Sequence, residues 1–332
     1  MADQPKDHYP TIFISSTDPD LPSWFTNEFP KYCNFHEMDS GGNGLLYSCF
    51  DNNLGRMVAI KRLPDDQADN KHERRRLLRE ARVTAQLQHP NTVPVYEIGK
   101  DDQGRLFFSM KKVEGENLFR ILSRIARKDE ATIAAFSLDR MLGIVIQASN
   151  ALAYAHSHGV IHRDVKPENI MIGRFGETIL MDWGVAKVWG VADEEVEDEG
   201  PGTPVYERLT GTGKRPGTPL YMSPEQVSGS KHVDERTDIF SMGVVLYELL
   251  ALREPFRGRN VQETFQNITN LSPAPPSEIG KHFDVPKRLD DVCSKAMAKE
   301  RAQRYQSIQR MIDDIREVRN QAMGQGSRFD SD

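Results

Sequence analysis

The spacing of apolar positions changes character about a third of the way along the chain. Between residues 35 and 113, short apolar runs are separated by glycine, asparagine and aspartate, a pattern typical of strands joined by turns. Residues 71–87 instead place apolar side chains at helical spacing among arginines, and His89 and Pro90 follow as a stop signal. The pattern therefore predicts one helix in this part, with strands at 44–50, 57–61, 93–98 and 106–110.

After Gly115 the apolar period becomes helical. Ser137 can cap a long helix that continues to Ala155, and Gly159 lies just past its end. Residues 234–252 are apolar on nearly every face, as in a helix buried at the centre of a domain. Further helices are predicted at 290–298 and 307–318, and the polar end from Gly324 predicts a frayed terminus. The predicted order is a small β-rich region followed by a larger helical one.

The first thirty or so residues carry five prolines and no steady period, so we expect an irregular extension able to pack on the domain after it. The N-terminus lacks the basic-then-apolar pattern of a secretory signal. The most apolar segment, 239–252, is too short to span a bilayer and contains Glu248. We therefore expect no membrane segment in this chain and a cytoplasmic location.

Composition and charge narrow the class of protein. The chain has 332 residues, 38% of them hydrophobic and 28% charged, which suits one large domain or two lobes. The net charge of −6 argues against nucleic acid as a partner, because binding to a phosphate backbone favours a basic face. The three cysteines lack metal-type spacing, and the nine histidines form no metal-ligand pattern. We expect free thiols in a reducing compartment.

The clearest chemistry lies in residues 162–169, His-Arg-Asp-Val-Lys-Pro-Glu-Asn, with Asp182-Trp183-Gly184 thirteen residues later. Asp164 can accept a proton from an incoming hydroxyl, and Lys166 can neutralise transferring phosphoryl oxygens. Asn169 and Asp182 can hold a magnesium ion. The alternative is a merely solvated polar loop, which the order of the other motifs along the chain disfavours.

Two further patterns precede this loop. Residues 38–47 are glycine-rich, and glycine lets backbone N–H groups approach phosphate oxygens closely. The apolar strand 58–61 ends on Lys61, and the helix after it carries Glu80. Each pattern is weak alone. A glycine-rich run also occurs in a plain hairpin, a lysine such as Lys61 also ends a solvated edge strand, and a carboxylate such as Glu80 is also common on an exposed helix face. Their order and spacing give them weight together.

Together these motifs resemble the eukaryotic-type (Hanks-type) protein kinases, in the serine/threonine branch that bacteria also carry. The resemblance covers roughly residues 35–318. It implies an α+β, bilobal fold with a small β-rich N-lobe that carries one helix and a larger, mainly helical C-lobe. The domain layout that it predicts is an N-terminal extension at 1–32, the N-lobe at 33–112, the C-lobe at 113–322 and a flexible tail at 323–332.

The resemblance assigns catalytic roles to these side chains. Asp164 is the expected catalytic base, and Lys166 is expected to steady the γ-phosphate. Lys61 is expected to contact the α- and β-phosphates with Glu80 as its ion-pair partner. Thr218 is expected to hydrogen-bond near Asp164 and Lys166. Asn169 and Asp182 are the expected metal ligands.

The same resemblance implies a set of positions that contact ATP. Met110 is expected to be the gatekeeper, and Lys111 to Val113 to offer backbone groups to the adenine edge. Ala59 and Met171 are expected to sandwich the ring. The full set comprises Gly41, Gly42, Gly44, Leu46, Ala59, Lys61, Met110, Lys111, Val113 and Met171.

Other family positions are structural. Ser223-Pro224-Glu225 corresponds to the family's Ala-Pro-Glu, and Glu225 is expected to pair with Arg304 late in the chain. Asp238 is expected to brace the catalytic loop from the central helix. His162 is expected to be a packed structural histidine.

Three positions depart from the family pattern. Asp39 stands in place of the first loop glycine, Leu46 in place of a valine, and Trp183 in place of the phenylalanine after the metal-binding aspartate. The ring of Trp183 keeps an apolar group for packing. An acid near phosphates repels them, so Asp39 is the one feature that favours the alternative of a pseudokinase scaffold.

The resemblance implies transfer of the γ-phosphate of ATP, with Mg²⁺ or Mn²⁺, to serine and threonine hydroxyls of proteins, with autophosphorylation expected. Lysine two residues after Asp164 resembles serine/threonine kinases and not tyrosine kinases. The expected partners are ATP and protein substrates in signalling, and a homodimer through the basic helix stays open. A third hypothesis is a small-molecule phosphotransferase of related fold. Thr218 and residues 223–225 argue against it, because the resemblance implies that they serve a peptide-binding surface.

The segment between Asp182 and Glu225 raises two regulatory hypotheses. Its acidic run, 193–199, is either a solvated insert or a contact that holds the basic helix inactive. Arg163 beside the catalytic base suggests control by loop phosphorylation, because its charge needs an anion. The candidate phosphosites are Thr203, Thr210 and Thr212. The alternative is that these are ordinary loop threonines.

Overall fold

The computed structural model describes residues 25–41, 44–188, 219–230 and 232–326. The described residues divide into two compact units. The first takes those up to Leu77 together with Val95–Lys112, and the second takes Leu78–Pro94 and those from Val113 onward. Helix α1, Lys71–Gln86, is the predicted helix of the β-rich region, and its residues are shared between the units.

The first unit is built on a five-stranded antiparallel sheet with the order β1-β2-β3-β5-β4. The four predicted strands are present, each within two residues of its predicted ends. The strands are β1 Tyr32–Gly41, β2 Gly44–Asp51, β3 Arg56–Arg62, β4 Val95–Lys100 and β5 Leu106–Lys111.

One face of this sheet carries the core of the first unit. The side chains of Val58 and Ile60 on β3 belong to this face and are 0% and 1% exposed. The core cluster also contains Tyr32, Cys49 and Phe107. Phe29, which precedes β1, packs edge-on against Phe107 with ring centroids 4.9 Å apart. The end of the predicted extension thus packs on the sheet, whereas residues 1–24 lie outside the described part of the chain.

The second unit is mainly helical, with two small sheets. Its helices are α2 Leu118–Ala126, α3 Glu130–Ala135, α4 Leu138–Ser157, α5 Pro224–Val227, α6 Arg236–Ala251, α7 Val261–Asn270, α8 Pro276–Ile279, α9 Lys287–Ala296 and α10 Ile308–Gly326. The strands β6 Gly115–Asn117, β8 Ile170–Gly173 and β9 Thr178–Leu180 form one sheet, and β7 Val160–Ile161 pairs with β10 Lys187–Val188.

Helix α6 forms the centre of this unit, as its apolar pattern predicts. Every residue after Arg236 is buried, so the helix has no solvent face. Helix α4 begins where predicted, because the Ser137 hydroxyl accepts a hydrogen bond from the Arg140 N–H. Helix α10 runs to Gly326, further than the residue 318 that the apolar period predicts. A β-rich unit and a helical unit confirm the predicted α+β class.

The described residues bear on two further features, membrane-spanning helices and the state of the cysteines. No described helix combines the length and the apolar character needed to cross a bilayer. All three cysteines are free thiols, and Cys49 and Cys293 are buried.

Candidate active site

Residues 162–169 are held to helix α6 by one buried carboxylate. Asp238 accepts hydrogen bonds from the backbone N–H groups of His162 and Arg163, both at 2.8 Å. The Nε2 atom of His156, at the end of α4, lies 2.8 Å from the same carboxylate. Burial raises the pKa of Asp238, but the hydrogen bond and charge of the His156 imidazole, together with the His162 backbone N–H, outweigh it and lower that pKa overall. The predicted bracing by Asp238 is confirmed.

The backbone around this loop adopts left-handed geometry at two non-glycine residues. Arg163 has φ of 66° and Asp182 has φ of 62°. Such conformations cost about 1–3 kcal/mol and persist where the surroundings hold them. At Arg163 that support comes from Asp238, which binds its N–H, and from Gln226, whose side chain donates to its carbonyl at 2.8 Å.

His162 is fully buried, as its predicted structural role requires. Its Nδ1 accepts the Asp164 N–H at 3.2 Å, so the proton of the neutral ring lies on Nε2, which donates to the Met181 carbonyl at 3.0 Å. The ring packs against Trp183, with centroids 4.5 Å apart. Trp183 is also buried, and its indole N–H has no acceptor among the described residues.

The structure brings together three of the predicted catalytic and metal-binding side chains. The Lys166 ammonium lies 2.6 Å from Oδ2 of Asp164. The Asn169 amide donates to the Asp164 carbonyl at 2.8 Å and to Oδ2 at 3.1 Å. These contacts leave Oδ1 of Asp164 as the oxygen that neither side chain engages. The Asp164 side chain is 33% exposed, so a hydroxyl can reach it.

The donor set at the end of this loop suits a hard divalent cation. Asn169 uses its Nδ2 for both contacts with Asp164, so its amide oxygen points the other way. The Met181 N–H donates to the Asn169 carbonyl at 2.8 Å, which ties the chain just before Asp182 to the loop. The described residues contain no cluster of three or more histidine, cysteine, aspartate or glutamate side chains that could hold a metal ion. Magnesium fits that arrangement, because it uses one or two protein oxygens and completes its shell with phosphates and water.

In the first unit, the strand register places predicted nucleotide-binding residues on one face of the sheet. Leu46 lies opposite Lys61, and Ala59 lies opposite Met110. Directly opposed residues share a face, as do alternate residues of one strand. Leu46, Ala59, Lys61 and Met110 therefore point to the same side, away from the core face of Val58. Lys111 lies opposite Val58, so its side chain belongs to the core side and only its backbone suits the predicted role.

The glycine-rich hairpin also has a geometric requirement for glycine. Gly41 and Gly44 face each other at the end of β1 and β2. Gly44 has φ of 116°, and a Cβ atom there would lie 2.9 Å from the Arg62 carbonyl. Gly42 and the side chain of Asp39 lie outside the described residues.

The remaining predicted positions are distributed over the second unit. Glu80 lies on the part of α1 in that unit and is 8% exposed, Val113 is 9% exposed, and Met171 lies on β8. Their roles stay predictions. Thr218, the acidic run 193–199 and the three candidate phosphothreonines lie outside the described residues.

Helix α5 is anchored by the predicted ion pair. The Arg304 guanidinium donates two hydrogen bonds to the Glu225 carboxylate, both at 2.7 Å, and Thr237 adds a third at 2.7 Å. Burial raises the pKa of Glu225, but the hydrogen bonds and charge of Arg304 lower it further than burial raises it. Arg304 also binds three backbone carbonyls, those of Arg236, Ala298 and Lys299.

Helix α6 carries a buried acid, Glu248, to which the sequence alone assigned no role. The Tyr221 hydroxyl donates to Glu248 at 2.6 Å. Burial raises the pKa of Glu248 to about 7, the Tyr221 hydrogen bond opposes this, and the charges of Glu254 and Glu168 add to it. The sequence feature that could have indicated this buried acid is the single carboxylate in the otherwise apolar segment 239–252.

Glu248 predicts a pH dependence of stability. Its pKa is raised in the folded protein, so its contribution to stability is present at low pH and is lost as pH rises through about 7. We expect wild type to lose about 2–3 kcal/mol of unfolding free energy between about pH 5 and pH 8 that Glu248→Gln does not lose. Urea unfolding across this range measures it. Parallel pH profiles for the two proteins would refute the assignment.

Comparison with known proteins gives consistent matches over most of the chain. A model described as the protein kinase domain matches residues 32–315. The serine/threonine-protein kinase PknD of Protochlamydia amoebophila (strain UWE25) is 34% identical over 281 residues, which are 83% of this chain and 28% of that protein. PknD of Chlamydia felis (strain Fe/C-56) is 34% identical over 291 residues, 86% of this chain and 30% of that protein.

PknD of Chlamydia pneumoniae is 33% identical over 282 residues, 83% of this chain and 30% of that protein. The chain therefore spans less than a third of the length of these relatives.

Proposed function

Because this chain belongs to the protein kinase family, we propose that it is a serine/threonine protein kinase that transfers the γ-phosphate of ATP to hydroxyls of proteins, itself included. The observation that carries the proposal is the loop in which Lys166 and Asn169 both contact Asp164. Lysine two residues after the aspartate, and relatives named as serine/threonine kinases, support the choice of acceptor.

The family uses ATP and a divalent cation in general. We take magnesium as the cation in this chain, with Asn169 and Asp182 as its protein ligands, since amide and carboxylate oxygens are the donors that it prefers. A bound magnesium ion neutralises charge on the phosphate oxygens and orients them.

In the proposed reaction, Asp164 accepts the proton of the incoming serine or threonine hydroxyl. Its Oδ1 atom is the natural acceptor, because Oδ2 is engaged by Lys166 and Asn169. Lys166 has its charge beside that carboxylate and would lie against the transferred phosphoryl group as it moves to the acceptor. Asn169 fixes the orientation of Asp164 through two hydrogen bonds, which is a positioning role.

We assign nucleotide binding in the first unit to the face that carries Leu46, Ala59, Lys61 and Met110. The apolar members suit the two faces of an adenine ring, and the Lys61 ammonium suits the phosphates. Glu80 is the proposed ion-pair partner of Lys61. The glycine hairpin at Gly44 would supply backbone N–H groups to phosphate oxygens.

The acceptor peptide is proposed to carry a basic residue near its phosphorylated hydroxyl. Glu168 lies two residues after Lys166 and is exposed, and its negative charge helps to raise the pKa of the buried Glu248. A cationic side chain of the peptide would pair with the Glu168 carboxylate, whereas an acidic one would be repelled by it.

Transfer of label from γ-labelled ATP tests the proposal. Purified protein is incubated with magnesium and matched acceptor peptides that differ only in an arginine or a glutamate near one serine. We expect label on the arginine peptide, less on the glutamate peptide, and label on the protein itself. Bound ATP without any transfer would favour the pseudokinase scaffold, the alternative that Asp39 in place of the first loop glycine supports. Label only on small metabolites would favour a small-molecule phosphotransferase.

A further inference from the structure

The side chain of Gln226 joins helix α5 to residues 162–169, the catalytic loop. Its Nε2 atom donates to the Arg163 carbonyl at 2.8 Å, and its Oε1 atom accepts the Ser223 N–H at 3.0 Å. Both ends of the carboxamide are therefore used. A flipped amide would place its oxygen against the Arg163 carbonyl and its own N–H groups against the Ser223 N–H, so these contacts fix its orientation.

The carbonyl that Gln226 binds belongs to the peptide group that leads into Asp164. In that group the Asp164 N–H donates to Nδ1 of His162 at 3.2 Å, while the Arg163 C=O accepts from Gln226. A peptide group is planar, so a hydrogen bond at each end holds the whole plane against rotation. Gln226 and His162 together set the direction in which the chain enters Asp164.

The residue before Asp164 needs this support. Arg163 has φ of 66°, a left-handed conformation that residues with a side chain adopt only where contacts hold them. Asp238 on helix α6 binds the Arg163 N–H at 2.8 Å, and Gln226 on helix α5 binds the Arg163 C=O at 2.8 Å. The turn into Asp164 is thus held by two helices, one on each side of Arg163.

Helix α5 is in turn fastened to helix α6. The Thr237 hydroxyl donates to the Glu225 carboxylate at 2.7 Å, and the Ser241 hydroxyl donates to the Tyr221 carbonyl, just before α5, at 2.7 Å. These contacts fix the place from which Gln226 reaches the catalytic loop. A shift of α5 away from α6 would withdraw the Gln226 amide from that loop.

We propose that Gln226 is a positioning residue for phosphoryl transfer, which aligns Asp164 through the Arg163–Asp164 peptide group and makes that alignment depend on the position of helix α5. The inference rests on the proposed role of Asp164 as the base. A base must lie within hydrogen-bond reach of the incoming hydroxyl, and a misplacement of about 1 Å can lower a rate about a hundredfold. Gln226 should therefore affect kcat and not the affinity for ATP.

Gln226 also caps its own helix, and the two functions can be separated. It occupies the third position of a capping box that begins at Ser223, a position where glutamate serves as well as glutamine. Gln226→Glu keeps an oxygen for the Ser223 N–H, but its carboxylate has no hydrogen to donate to the Arg163 carbonyl. Gln226→Met removes both contacts. Gln303→Glu, the same change at an exposed position, is the matched control.

Steady-state kinetics with labelled ATP and an acceptor peptide measure the effect. We expect Gln226→Glu and Gln226→Met each to lower kcat about 10–100-fold, with the KM for ATP within about twofold of wild type. The urea midpoint of Gln226→Glu is expected to stay close to that of wild type, because the cap is kept. Gln303→Glu is expected to have the kcat of wild type.

Combination with Asp164→Asn tests whether Gln226 acts through the base. Two residues that act as a unit have effects that do not add. We expect the double variant Gln226→Glu with Asp164→Asn to have the kcat of Asp164→Asn alone, within about threefold. A full additional loss would show that Gln226 acts on catalysis by another route and would overturn the inference.

Hydrogen–deuterium exchange on the full chain gives a readout that does not depend on activity. Peptides that cover 162–169 are expected to exchange about tenfold faster in both Gln226 variants than in wild type and in Gln303→Glu. A wild-type protein that transfers no phosphate would contradict the proposed function. The exchange comparison would then still decide whether Gln226 holds the catalytic loop.

Two further results would overturn the inference. Wild-type kcat in Gln226→Glu, beside a lowered kcat in Gln226→Met, would show that Gln226 serves only to cap helix α5. Equal exchange at 162–169 in wild type and both Gln226 variants would show that the side chain does not hold the catalytic loop.

Discussion

Asp164→Asn is expected to lower kcat by about 10²–10⁴-fold while leaving the affinity for ATP close to that of wild type. The carboxamide has the same shape and can still accept the Asn169 hydrogen bond, but it cannot take up the proton of the acceptor hydroxyl. Steady-state rates with a serine peptide give kcat, and calorimetric titration with ATP and magnesium gives the affinity.

The control for this variant is Asp313→Asn, the same chemical change at an exposed position of α10, which should leave kcat unchanged. An Asp164→Asn protein with wild-type kcat would remove Asp164 as the base. A variant that also lost ATP affinity and melted at a lower temperature would show that the residue has a structural function instead.

Arg304→Met is expected to lower the free energy of unfolding by about 3–5 kcal/mol. The change removes the partner of a buried carboxylate, since Glu225 is 8% exposed and receives both guanidinium hydrogen bonds. It also leaves the backbone carbonyls of Ala298 and Lys299 without the donor that they have now. Chemical denaturation followed by circular dichroism measures the loss.

Two further proteins separate the buried pair from the general effect of removing an arginine. Arg288→Met breaks an exposed pair with Glu317 on the same unit and should change stability very little. The double variant Glu225→Gln with Arg304→Met should recover part of the loss, because it removes the uncompensated charge. Equal losses in Arg288→Met and Arg304→Met would show that the Glu225 pair contributes no more than a surface contact.

The sheet and the long helices were predictable because each shows its period over many residues. Helix α4 has an N-cap and helix α6 is apolar on nearly every face, while strand β3 contains the continuous buried run from Val58 to Ile60. Helices α2 and α7 were not predicted, although Asn117 and Asn260 cap them and their apolar residues follow helical spacing. Each presents only three or four buried positions, which is too few to distinguish a short helix from a loop.

The candidate site was predictable to the extent that its parts are close in sequence or belong to a known motif. Asp164, Lys166 and Asn169 lie on one short loop, so their contact follows from their spacing. Glu225 and Arg304 are 79 residues apart, and only the family resemblance linked them.

The contact between Tyr221 and Glu248 was not predicted, because the burial of a carboxylate depends on a partner that a sequence does not reveal. The pairing of Lys61 with Glu80, and the roles of Gly42 and Thr218, stay predictions. They depend on residues in separate units or outside the described part of the chain.

The central claim is that this chain phosphorylates serine and threonine in proteins and uses Asp164 to do so. The most direct measurement offers the Asp164→Asn protein as substrate to a catalytic amount of wild type with ATP and magnesium, followed by phosphosite mass spectrometry. We predict phosphoserine or phosphothreonine on the inactive copy, only when wild type and a divalent cation are present. An inactive copy that stays unmodified while wild type binds ATP, or that carries phosphate on tyrosine alone, would contradict the claim.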